Sequence, residues 1–499
     1  MPSQRRAGVV LGYINIVVKN LVNLVYIPML LSFVGQADYG VYQTSNSFVF
    51  SLSLLSFGFS QAYVRFYTQK RTHGEDVRGL NGVYFVLYAV VSVAAFLLGL
   101  AFAASAGTLF SASFTPEEVE LATAVMSIMA GSIAVTLFNS VFDAYVLAHE
   151  EFRFQQSRQM LTTLATPFCA YALLCFGFGV VGVAFAQLAV NVVLLVLNAS
   201  FCVGRLKMRL DVRRFDTALF RSIAAFSAWI FANQVCDLVN QNVPNVLLGA
   251  LTSASAVAVF AVAVQVRNVF VSLSSTMSNV FTPKINRIVA ESDDNAELTR
   301  LMTRVGRYQM VLFCWVYGGF AVLGRFFVER WTGPGFADAY WLVLAMTAPL
   351  VIPLTQNTGI EIQRAKNMHR ARSVAMLLMA VLNVAVTLVA SPIIGYWAPA
   401  VGYVASIALG NGAFMNRYYQ KKVGLDMAFF WRRNLPVLLA GAAVTAVCLA
   451  GTVVFPVDSW LEFLAWGAAY TALFAAALWL AILTKDERAA VTSRLPFLR

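Results

Sequence analysis

Charge is scarce in this sequence. Only 12% of its 499 residues are Asp, Glu, Lys or Arg, whereas 59% are hydrophobic and the mean hydropathy is +0.71. No water-soluble domain could cover that much apolar surface with so few charges. Histidine is scarcer still. His73, His149 and His369 are the only three, far apart along the chain, so they offer no metal-ligand spacing. The six cysteines, Cys169, Cys175, Cys202, Cys236, Cys314 and Cys448, all fall in apolar stretches without a Cys-x-x-Cys pair, and read as small hydrophobes rather than disulfide or metal ligands. A P-loop, a nucleophile elbow and a paired-carboxylate motif are absent as well, so an enzyme reading has little to stand on and no cofactor is called for. Long loops are missing too: the longest connection, of about twenty residues, is too short to be a folded domain.

What fills the chain is apolar runs of spanning length. A transmembrane helix needs about twenty mostly apolar residues. Breaking the sequence at its polar clusters places spans at roughly 7–33, 40–66, 81–105, 119–146, 157–176 and 180–203, then at roughly 217–249, 255–283, 305–327, 339–362, 372–391, 396–419, 434–455 and 460–483. The expected fold class is therefore all-α, a polytopic integral membrane protein of about fourteen spans. The first apolar run is too long for a cleavable signal peptide and lacks a small-x-small site, so it is expected to stay.

Orientation follows from the bases, which should gather in alternate, cytoplasmic connections. Arg5 and Arg6, "QKRTHGEDVR", "EEFRFQQSR", the Arg213/Arg214 stretch, "KINRIVAESDDNAELTRLMTR", "QRAKNMHRAR", "QKKVGLDMAFFWRR" and the C-terminal tail obey this rule. The intervening connections carry Asp38, Glu117, Glu118, Glu120, Asp338 and Asp458, with Arg330 almost alone as a base. Both termini are thus expected in the cytoplasm. The net charge of +12 is a topology signal, not the mark of a nucleic-acid surface.

A composition break at 204–216 divides the chain into two six-helix sets, an N-lobe over 1–203 and a C-lobe over 217–419, with two further helices over 434–483 and a tail over 484–499. "PMLLSFVGQADYGVY" near the end of the first span and "PNVLLGALTSASAVAVF" near the end of the seventh match at an offset of about 216 to 218 residues. Internal repeats of this kind frame the substrate site in many transporters.

Charges inside spans cost roughly 2.5 to 3.5 kcal/mol on insertion scales, so they are the first candidates for function. Lys19 sits near the middle of the first span with Asn15 and Asn23 one turn away on either side, giving one polar face. Its depth makes snorkelling difficult and points to a cavity. The second span carries Thr44, Ser47, Ser51, Gly58, Gln61 and Arg65; packing explains the small residues, and Arg65 is near enough to the cytoplasmic end to snorkel or to face a cavity. The seventh span holds Asn233, Asp237 and Gln241 at i, i+4 and i+8, and Asp237 reads either as a proton or sodium site or as the partner of a cation. The eighth adds Gln265, Ser272, Thr276 and Asn279, with Arg267 out of phase with that stripe. Arg325 and Arg330 read as interfacial anchors.

These features resemble the polysaccharide transporter branch, the Wzx-type O-antigen flippases, of the MOP (multidrug/oligosaccharidyl-lipid/polysaccharide) exporter superfamily. The resemblance rests on "LVYIPMLLSFVGQADYGVYQ", "VFAVAVQVRNVFVSLSSTMSNVFTPKI", "ERWTGPGFADAYWLVLAM" and "NRYYQKKVGLD", in that order over nearly the whole chain. It implies a two-lobed bundle around a cationic cavity and an undecaprenyl-pyrophosphate-linked oligosaccharide as cargo, moved from the cytoplasmic to the periplasmic leaflet of a bacterial inner membrane. Lys19, Arg65 and Arg267 stand where similar proteins place cations, with Asn15 and Asn23 beside the first, and Asp237 is the candidate for ion coupling. Implied partners are the lipid-linked oligosaccharide, membrane lipids, and the polymerase and chain-length proteins of polysaccharide assembly; neither nucleic acid nor metal is implied. The rival expectations are a multidrug exporter of the same superfamily, which prefers acidic cavity residues, and a non-transport protein of surface-glycan assembly.

Overall fold

A computed structural model describes residues 2–211, 242–279, 281–366, 368 and 370–483, with scattered positions between 217 and 238 and at 488. Among these the chain is helical, with no strand. Hydrocarbon offers backbone N–H and C=O groups no water, so an apolar chain of this kind satisfies them within helices. Eleven of the helices are long and apolar enough to cross a membrane. Three of the expected spans account for the shortfall from fourteen. Ile14–Thr72 contains two of them, separated where Gly35 leaves helical geometry at φ 77° and ψ 179°. The expected span at 157–176 forms the helix Phe152–Cys175, which is too polar to qualify on composition. That at 217–249 lies mostly outside the described residues.

The helices group into two compact units, Met1–Ala261 with Thr387–Tyr396, and Val262–Val386 with Trp397–Arg499. The division falls inside a helix, between Ala261 and Val262.

The first unit contains α1 (Pro2–Phe50), a 3-10 turn at Ser51–Ser56, α2 (Phe59–Thr72), α3 (Arg78–Ala104), α4 (Pro116–Ala148), α5 (Phe152–Cys175), α6 (Gly179–Ser200), α7 (Val243–Leu251) and the start of α8 (Ala254–Asn279). α4 begins on a capping box: Thr115 and Glu118 each bond the other's backbone N–H, with Pro116 fitting the first turn. Small residues let the helices close up. A Cβ on Gly99 of α3 would lie 2.5 Å from that of Ala130 on α4. One on Gly40 of α1 would lie 1.7 Å from the Ala254 carbonyl oxygen, so the chain passes there only as glycine. A tyrosine cluster, Tyr63, Tyr67, Tyr84 and Tyr88, seals one part of the unit, with the Tyr63 hydroxyl donating to Asn81 Oδ1 at 2.7 Å.

The second unit is organised on α9 (Asn295–Thr332), preceded by the helix Thr282–Glu291. At 38 residues α9 is about 57 Å long, well beyond a hydrocarbon core of about 30 Å. The twenty-residue connection expected before the ninth span is therefore largely helical. Ile285 and Ile288 bury one face of its short helix, and the Asp294 side chain caps α9 by accepting from the Ala296 N–H. The unit also contains α10 (Ala337–Thr347), α11 (Arg370–Ile394) as far as Val386, α12 (Trp397–Ile407), α13 (Met427–Val454) and α14 (Trp460–Ala477). The last two, expected as an addition, share α9's core: Gly441 faces Cys314, and the Tyr470 hydroxyl donates to the Cys314 carbonyl at 2.9 Å.

Candidate functional site

On α1 the expected polar face divides in its roles. Asn15, 5% exposed, donates its amide to the Gln156 carbonyl at 2.9 Å and to Gln156 Oε1 at 2.7 Å, tying α1 to α5. Its Oδ1 is buried without a hydrogen-bond partner. One turn on, Lys19 is exposed, and Asn23 is half-buried. At 100° per residue the exposed apolar side chains Val17, Leu21 and Leu24 form a stripe on the opposite side of the helix from Lys19, while exposed Ile16 lies about 60° from it. If that apolar stripe meets lipid, the ammonium group is turned away from it.

The second expected stripe is interrupted. After the 3-10 turn at Ser51–Ser56 the backbone enters the left-handed region at Phe57 (φ 45°) and Gly58 (φ 68°) before α2 resumes. Thr44 and Ser47, before the break, are buried in packing: Asn245 donates to Ser47 Oγ at 2.9 Å, and Gly249 leaves room for Thr44. Gln61 and Arg65, after it, are exposed. At the break lies a cavity of about 270 Å³ lined by Ser53, Ser56, Gln234 and Asn242 among others, and the Gln234 Oε1 is buried without a partner. Irregular backbone at membrane depth is tolerated where it is enclosed by protein or lines a cavity, and interrupted helices mark many transporter sites.

Sequence reasoning missed a charged network in the same unit. Asp143 on α4 is paired with Arg158 on α5, and Asn198 on α6 donates to Asp143 Oδ1 and to Asn139 Oδ1, each at 2.7 Å. The sequence places Arg158 in the basic connection "EEFRFQQSR", but α5 begins at Phe152 and carries it inward. The available signal was Asp143 itself, a carboxylate within the apolar run "SVFDAYVLA".

In the second unit Arg267 is 6% exposed, with its guanidinium 4.5 Å from the centroid of the Tyr403 ring and donating to Asn268 Oδ1 at 3.0 Å. Its Nε is buried with no hydrogen-bond partner. An aromatic face offsets part of the charge, while the unsatisfied donor leaves capacity for an anion. Asp237, the candidate for ion coupling, lies outside the described residues. No group of three His, Cys, Asp or Glu suited to a metal occurs among the described residues.

A family model described as "Polysaccharide biosynthesis protein" matches residues 29–341. The chain belongs to this family. A Bacillus subtilis (strain 168) relative described as "Uncharacterized membrane protein EpsK" is 23% identical over 479 residues, covering 94% of this chain and 93% of its own. Among solved structures, the lipid II flippase MurJ in an inward closed conformation superposes with a TM-score of 0.75 at 12% identity, over 94% of this chain and 99% of that one. An inward-facing multidrug resistance MATE family transporter of the MOP superfamily follows at 0.63 and 15%, over 82% and 94%.

This member of the polysaccharide biosynthesis family is thus a multi-pass membrane protein, and its fold is the one seen in MurJ and in the MATE transporter of the MOP superfamily. Its candidate residues are distributed over both units: Asn15, Lys19, Asn23 and Arg65 in the first, Arg267 in the second.

Proposed function

We propose that the protein is a flippase that moves an undecaprenyl-pyrophosphate-linked oligosaccharide, an O-antigen or exopolysaccharide repeat unit, from the cytoplasmic to the periplasmic leaflet of a bacterial inner membrane by alternating access, with both termini in the cytoplasm. The observation that carries this reading is Lys19: an exposed ammonium group in a membrane span, turned away from the apolar stripe of its own helix. A pyrophosphate head group must leave water to cross hydrocarbon, and a cation about 4 Å away returns about 4 kcal/mol at an effective dielectric of about 20. Arg267, buried against Tyr403 with an unsatisfied Nε, and Arg65 are the further proposed contacts, with Asn15 and Asn23 shaping the face around Lys19. Asp237 is the proposed coupling residue. The family assignment supports a polysaccharide precursor as cargo, and polymerase and chain-length proteins of the same assembly line are the proposed partners.

The test is the distribution of the lipid-linked precursor in cells lacking the protein, complemented with wild type, Lys19→Ala or Lys19→Arg. The expected outcome is cytoplasmic-leaflet accumulation that wild type clears, Lys19→Arg clears in part, and Lys19→Ala leaves in place at normal membrane levels. An unchanged precursor distribution in the deletion strain would overturn the flippase reading and make drug export the next assay.

A further inference from the structure

A cavity in the second unit with charged residues in its lining plays no part in the proposal above. It measures about 990 Å³ and lies where the C-terminal end of α9 meets the start of α10 and the end of α13. Arg325, Glu329 and Arg330 of α9 and Asp458 of the α13–α14 connection supply its charges, Trp341 an aromatic edge, and Val453 with its neighbours an apolar side. Arg325 Nε donates to Glu329 Oε1 at 3.2 Å, and Arg330 donates to the Asp458 carbonyl at 3.4 Å while its guanidinium lies over the Phe326 ring.

Three features narrow the ligand. The depth is interfacial: exposed Trp341 and Trp460 stand at this end of the bundle, where aromatic residues gather at the border between headgroups and hydrocarbon. The apolar side continues along a helix of spanning length, where Val453 in the lining and Val454 beside it are both exposed. The charges also balance, two guanidinium groups against two carboxylates. A net anion would therefore meet as much repulsion as attraction, whereas a dipolar head group gains at both ends.

We propose that this cavity binds a zwitterionic phospholipid with a primary amine, its phosphate diester on Arg325 and Arg330, its ammonium group on Glu329 and Asp458, and its acyl chains along α13. A primary ammonium donates hydrogen bonds to carboxylates, which a quaternary amine cannot do, and of the three lining aromatics, Phe326, Tyr340 and Trp341, the first is already covered by the Arg330 guanidinium. The same phosphoethanolamine chemistry occurs on a soluble phosphodiester, and the two sources are separable by experiment.

The full-length protein is placed in nanodiscs of equimolar phosphatidylethanolamine, phosphatidylglycerol and phosphatidylcholine with matched chains, extracted into detergent, and its retained lipid quantified. Phosphatidylethanolamine is expected to be enriched about tenfold over the other two, the factor that one charge-assisted hydrogen bond supplies. Glu329→Gln, which leaves the site net positive, is expected to shift retention toward phosphatidylglycerol, and Arg330→Gln to lower total retention. Leu449→Trp, which narrows the apolar side and touches no charge, is expected to lower retention as well, so the proposal does not depend on a charge variant folding normally. Retained lipid that mirrors the nanodisc composition, or a Glu329→Gln profile identical to wild type, would overturn it. Displacement of the lipid by millimolar glycerophosphoethanolamine, or by the free oligosaccharide, would assign the cavity to a soluble ligand instead and equally sink the lipid proposal.

Discussion

Asp143 and Arg158 show how a charge can be kept inside an apolar bundle. The carboxylate accepts from Arg158 and from Asn198, so neither ion is left uncompensated, although Asp143 remains 38% exposed and Arg158 only 14%. Asp143→Asn should therefore destabilise by about 2 kcal/mol, less than the roughly 3 to 5 kcal/mol for breaking a fully buried pair, because solvent screens the open side. Removing both charges, as Asp143→Asn with Arg158→Gln, should recover most of that loss. Thermal unfolding in one detergent checks both, and an additive double variant would show that the pair is not coupled. His149, beyond the end of α4, makes a second prediction at this scale. Its Nδ1–H donates to the Tyr145 carbonyl at 2.9 Å, and its Nε2 accepts from the Tyr67 hydroxyl at 3.0 Å, an arrangement that suits neutral imidazole. Burial holds its pKa below the ordinary value. Since the unfolded chain then binds the proton more readily, stability is fully present above about pH 6.5 and is lost as pH falls through the interval below it. Melting temperature recorded from pH 8 to pH 5 should fall over that interval in the wild type, and His149→Gln should flatten the slope.

At the scale of elements, apolar run length made the membrane helices legible, because spanning imposes a length that composition alone reports. What it could not report was where a helix breaks. "SLSLLSFG" has helical periodicity and no proline, yet the chain turns left-handed at Phe57 and Gly58 and opens a small cavity there. Of the candidate site, Lys19 was legible as a charge within an apolar run, but the partner of its neighbour was not. The Asn15 amide nitrogen is taken up by Gln156, a partner 141 residues away that no local pattern announces. Arg267 was out of phase with its own helix's polar stripe, and the reason appears only with Tyr403 placed above it. Two glycines test how rigidly these elements are placed. Gly40→Ala drives a methyl group into the Ala254 carbonyl, a backbone atom that cannot swing aside, and should cost about 2 kcal/mol or more, read as lower yield and melting temperature. Gly58→Ala strains one left-handed residue, for about 1 kcal/mol, and should spare yield while slowing transport if the break takes part in it. Equal loss of yield in both would remove the break from the mechanism.

For the molecule as a whole, the direction of the proposed transport depends on which ends of the helices face the cytoplasm, and α3 offers the simplest test. Its 27 residues extend about 40 Å, more than the roughly 30 Å of hydrocarbon, so the connections on either side of it must lie on opposite faces of a membrane. The connection before α3 is bordered by Lys70, Arg71 and Arg78, and the one after it carries no base before the acidic first turn of α4 at Glu117 and Glu118. The first should therefore be cytoplasmic. With all six cysteines replaced by alanine, Glu75→Cys and Ala112→Cys sit at exposed positions of the two connections. An impermeant maleimide should label Ala112→Cys from outside and Glu75→Cys only after permeabilisation. Labelling of both from one side would deny that α3 spans. The reverse pattern would keep the span but invert the chain, and with it the direction of the proposed transport.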